Sequence, residues 1–106
     1  KRQFDEVSWF HEGLASVKTG GKYGYVDKTG TMVIKPQFDD AERFTEGLAA
    51  VETGGKYGFI DRTGKMVIKS QFDWAGGFTG NLAVVRVGNK LGYIDKTGKW
   101  VWKPTE

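Results

Sequence analysis

Short apolar runs punctuated by glycine pairs and by Asp-Lys/Arg-Thr-Gly fill the chain, and this pattern predicts strands joined by tight turns. In the middle of the sequence Leu48-Ala49-Ala50-Val51-Glu52 precedes Gly54-Gly55, a pair that accepts positive φ at both centres of a two-residue hairpin turn. Lys56-Tyr57-Gly58-Phe59-Ile60 then reads as the returning strand. Asp61-Arg62-Thr63-Gly64 places Asp first and Gly fourth, which suits a type I turn with the Asp oxygen on backbone amides, and Lys65-Met66-Val67-Ile68-Lys69 is the third strand. No stretch keeps apolar residues at three- and four-residue spacing for two turns, so helices are not expected. A single helical turn fits Asp39-Asp40-Ala41-Glu42-Arg43, but Gly76-Gly77 at the equivalent place argues against anything longer.

The same pattern returns every 34 residues. Residues 4–37 and 38–71 agree at 22 of 34 positions, and 38–71 and 72–105 at 18 of 34, without a gap, so the repeat is not a coincidence of composition. The domain reading is a single repeat domain over 1–106, with units 4–37, 38–71 and 72–105. Lys1-Arg2-Gln3 and Lys103-Pro104-Thr105 match the unit junctions, and both ends read as cuts within a longer array.

Most recurrent positions have a structural reading. Phe4, Phe38 and Phe72, with Phe10, Phe44 and Phe78, are expected to plug the joints between units. Leu14 and Val17 and their copies lie three apart, so both faces of that strand meet something apolar. Gly24, Gly58 and Gly92 sit in mid-strand, where a flanking aromatic laid over each glycine would explain them. The resulting fold class is all-β: a tandem array of three three-stranded antiparallel meanders, solenoid-like, each touching only its neighbour. A closed three-fold barrel or prism is the alternative.

Composition narrows function mainly by exclusion. A chain of 106 residues holds a modest core and no deep private cavity, which disfavours a large cofactor enzyme. With no cysteine there are no disulfides, thiol nucleophiles or thiolate metal sites. No apolar run reaches the roughly 20 residues of a membrane helix. The net charge of +3 is spread without runs of one sign, so nucleic acid is an unlikely partner.

Candidate chemistry is sparse. Asp27-Lys28-Thr29-Gly30 and its copies are explained by turn geometry, and Asp5, Asp39 and Asp73 stand too far apart along a stack to share a cation. His11 is the only histidine and has no repeated partner, so it reads as a surface residue. Gly20-Gly21-Lys22 is a hairpin and not a phosphate loop. No cofactor, metal site or catalytic residue is expected. Recognition then falls to stripes made by repetition or to residues that break it. Lys22, Lys56 and Lys90 form one basic row, with further rows at Lys28/Arg62/Lys96 and Lys35/Lys69/Lys103; Tyr23 and Tyr57 recur as rings. Trp9, Trp74, Trp100 and Trp102 break the repeat, and Trp100 and Trp102, two apart, are expected to share one face of the last strand.

The string Glu-Gly-Leu-Ala, then Gly-Lys-Tyr-Gly-Tyr/Phe-Val/Ile-Asp-Lys/Arg-Thr-Gly, then Val-Ile-Lys-Pro-Gln-Phe-Asp, resembles the bacterial WG (KWG) repeat across the whole chain. The naming tryptophan is replaced by Tyr23, Tyr57 and Leu91. The resemblance implies a β-rich scaffold module of a bacterial protein that mediates binding and carries no catalytic residues. The expected role is therefore a non-catalytic interaction module presenting an aromatic and basic surface to another protein. Binding of a glycan or cell-envelope polysaccharide through Trp and Tyr is the alternative.

Overall fold

The computed structural model describes Phe4 and residues 6–102. Lys1-Arg2-Gln3, Asp5 and Lys103-Pro104-Thr105, invoked above for the unit junctions, a shared cation and a basic row, lie outside the described residues. The chain is all-β. The first sheet comprises β1 (Glu6–Val7), β2 (Leu14–Thr19), β3 (Lys22–Asp27) and β4 (Met32–Phe38). The second comprises β5 (Asp40–Ala41), β6 (Ala49–Thr53), β7 (Lys56–Ile60) and β8 (Met66–Phe72). The third comprises β9 (Trp74–Ala75), β10 (Ala83–Val87), β11 (Lys90–Ile94) and β12 (Trp100–Trp102). Every sheet is an antiparallel meander in chain order, and none closes into a barrel.

The turns form as their residues dictate. Gly20-Gly21 and Gly54-Gly55 take φ of 61° and 85°, and 60° and 87°, matching the right-handed twist of the strands they join. Asp61 Oδ1 accepts the Thr63 amide at 2.9 Å, the Thr63 hydroxyl at 2.6 Å and the Lys65 amide at 3.1 Å, and the turns at Asp27 and Asp95 repeat this.

Three features differ from the sequence expectation. Each unit has four strands, because the connector that leads from one unit's last long strand to the next unit's first long strand includes a two-residue strand; Asp40 and Ala41 pair with Glu52 and Val51 where one helical turn was conceivable. The mid-strand glycines Gly24 and Gly58 meet backbone, not a ring. A Cβ on Gly58 would lie 2.4 Å from the Ile68 carbonyl oxygen, and one on Gly24 at 2.4 Å from that of Ile34. The cause is a bulge: Tyr57 pairs with Phe72 and Phe59 with Ile68, so three residues of β8 press against the single Gly58. A second register shift puts Ile94 opposite Trp100 and Tyr93 opposite Trp102. Adjacent Tyr93 and Ile94 point to opposite faces, and so, therefore, do Trp100 and Trp102.

The sheets stack into an elongated body of 52 × 25 × 20 Å, with its core in slabs between them. Leu14, Tyr25, Ile34 and Phe38 of the first sheet pack against Phe44, Val51 and Ile60 of the second. Leu48, Phe59, Ile68 and Phe72 meet Phe78, Val85 and Ile94 in the same way. The four joint phenylalanines are buried as expected, whereas Phe10 is 43% exposed and Phe4 covers Ala15, Val17 and Val26.

Polar ties reinforce each joint. Lys22 reaches Asp39 at 2.5 Å and Lys56 reaches Asp73 at 2.6 Å, while each aspartate also accepts a hairpin amide, from Gly54 or Gly88. Glu12 accepts the Gly47 amide at 2.9 Å and faces Arg62; Glu46 accepts the amides of Gly80 and Asn81 and faces Lys96 at 3.4 Å.

Candidate functional site

Stacking brings the three connectors, one per unit, side by side, and a groove of about 510 Å³ runs across them. The first connector contributes Ser8, Trp9 and His11; the second contributes Glu42, Arg43 and Thr45; the third contributes Gly76, Gly77 and Thr79, with Trp74 just before it. In the 34-residue register, Ser8, Glu42 and Gly76 share one position and Trp9, Arg43 and Gly77 the next. The groove is thus built from positions where the units disagree.

Its floor is shaped by the two glycines, which have ordinary backbone conformations. The Trp74 indole lies over Gly76, where a Cβ would come within 3.1 Å of the ring and 3.3 Å of a Val84 methyl. A Cβ on Gly77 would sit 2.8 Å from the Thr45 hydroxyl, an atom that is buried without a hydrogen-bond partner among the described residues. Trp9 rises from the other end, 85% exposed. The Glu42 backbone is fixed by its amide on the Ala50 carbonyl at 2.9 Å and by the Tyr25 hydroxyl donating to its carbonyl at 2.5 Å. Its carboxyl is held above the usual carboxylate range by desolvation and by neighbouring Asp40, against the pull of Arg43. Arg43 itself is exposed, and makes no hydrogen bond or ion pair among the described residues. His11 is half-buried along the wall, held by the paired backbone bonds between His11 and Leu14.

Of the candidate binding residues named from sequence, only Trp9 and Trp74 line this groove. Trp100 packs edge-on to Phe72, 6.0 Å between centroids, at the inner joint. Trp102, 55% exposed, pairs with Tyr93 on the outer face of the third sheet. Lys22 and Lys56 serve the joints; Lys90 opens β11 at the equivalent position. Tyr23 and Tyr57 each span their own sheet. The Tyr57 hydroxyl donates to Asp40 at 2.7 Å and that of Tyr23 to Glu6 at 3.1 Å, and both phenols are pushed up, first by desolvation and then by these carboxylates. In the third unit both partners change together: Leu91 stands for the tyrosine and Trp74 for the acid.

This ring position, recurring in register, is where the family model of the WG containing repeat places its units: it matches residues 1–23, 23–57 and 57–90. The chain belongs to the WG-repeat family. Comparison with curated proteins and with solved structures returns no match for either. In this WG-repeat chain tyrosine fills the family's tryptophan position in two units, with its hydroxyl tied across the sheet.

Arg43, Glu42 and Thr45 were not singled out from sequence, and His11 was read as an ordinary surface residue. The available signal was their position: each connector's divergent pair, 34 residues apart, faces the same side once the units stack.

Proposed function

We propose that this WG-repeat chain is a non-catalytic binding module that holds a segment of a partner protein in the groove across its connectors. One observation carries the reading: the residues repeated in all three units serve core, turns and joints, while the divergent residues Trp9, Glu42, Arg43, Trp74, Gly76 and Gly77 line a single concave surface. Trp and Arg dominate binding energy where they line such surfaces, and Trp9, Trp74 and Arg43 are all there. Selection from a random peptide display library tests it. Peptides enriched on the protein should bind Trp9→Ala and Trp74→Ala at least about tenfold more weakly, with circular dichroism unchanged; equal binding to these variants refutes the groove as the site.

The open indole of Trp9 beside Glu42 and Arg43 supports a second reading, a glycan stacked on the ring. Polysaccharide fragments that quench tryptophan fluorescence, where no selected peptide does, would favour it.

A further inference from the structure

Several basic side chains among the described residues have partners that explain them. Lys22, Lys56, Arg62 and Lys96 tie successive units together, and Arg86 donates to the Gly88 carbonyl at 2.7 Å. Arg43 makes no such tie, although it lies in the groove with Trp9 and Trp74. A guanidinium presents a planar fork of donors that matches a carboxylate with two parallel bonds, and a flanking apolar wall strengthens such a pair by excluding water. Among the described residues of the groove the one carboxylate that competes for it, Glu42, is its chain neighbour, and its charged form is disfavoured by desolvation and by Asp40 beside it.

We infer that the groove selects an acidic protein segment, in which an Asp or Glu carboxylate meets Arg43 between two apolar side chains seated on Trp9 and Trp74. This rests on the peptide-binding reading above and adds the chemistry of the ligand. Two pooled libraries test it, both acetylated, amidated and free of Trp and Tyr: apolar-x-Glu-x-apolar and apolar-x-Gln-x-apolar, with Leu, Ile, Phe or Pro at the apolar ends. Five residues span up to about 17 Å. Titration against the tryptophan fluorescence of the intact protein should show the Glu pool binding about tenfold tighter than the Gln pool, with the gap closing in high salt. Arg43→Gln should erase the gap by bringing the affinity of the Glu pool down to that of the Gln pool; Arg43→Lys should restore part of it. Equal affinities on the unmodified protein, with both lost in Trp9→Ala, overturn the acid preference and leave the groove standing. A gap that survives Arg43→Gln overturns the assignment to Arg43, and binding of neither pool overturns both.

Discussion

The Phe44 ring stands tilted edge-on to Tyr25, centroids 4.9 Å apart and planes 67° apart, and Phe78 stands the same way to Phe59 at 4.9 Å and 60°. Each pair joins one sheet to the next. Stability in such a stack is a sum of units and of contacts between neighbours, so each joint can be weakened by itself.

Removing a joint ring should therefore be costly. Phe44→Ala and Phe78→Ala are each expected to lower stability by about 3–5 kcal/mol, the usual range for a buried phenylalanine. Phe10→Ala, at the same repeat position but exposed, should cost less than about 1 kcal/mol. Urea denaturation compares the three.

Gly58 is confined by carbonyl and amide atoms that cannot rotate away. Gly58→Ala should disrupt native pairing of β7 with β8 and lower stability by several kcal/mol, whereas Gly20→Asn, at a turn position of positive φ facing open space, should be nearly neutral. Thermal melts and amide exchange on Phe59 and Ile68 would show it.

Trp100 and Trp102 should respond unequally because they lie on opposite faces. Trp100→Ala is expected to cost about 2 kcal/mol through the contact with Phe72, and Trp102→Ala under about 1 kcal/mol. Equal losses would mean that they share a face after all.

Acid should loosen the joints and turns together. Hydrogen bonds from Lys22 and Lys56 hold Asp39 and Asp73 below the usual carboxylate range, threonine hydroxyls do so for Asp27, Asp61 and Asp95, and the Asn81 and Gly80 amides do so for Glu46. A carboxyl depressed in the folded state stabilises it above the unfolded value near 4 and loses that contribution as pH falls through the folded value. The melting temperature should be flat from about pH 7 to 5 and fall progressively below about 4. The phenols of Tyr23 and Tyr57 are raised, so the opposite sign applies: their contribution holds below about pH 10 and is lost above it. Absorbance titration of tyrosinate checks this arm.

The chain itself fixed the period, the three long strands of each unit and their turns, because glycine pairs and the Asp-x-Thr-Gly turns act over a few residues and need no distant partner. It also marked Phe38, Phe44, Phe72 and Phe78 as joint residues by size and recurrence. The two-residue strands, the bulges at Gly24 and Gly58, and the separation of Trp100 from Trp102 were decided by pairing across the sheet. Asp40-Ala41 has no strand signal of its own, and a register shift reverses a side chain without changing a letter. The groove was decided one level higher. Trp9, Arg43 and Gly77 are 34 residues apart along the chain, and only the burial of aromatic rings between stacked sheets makes them neighbours.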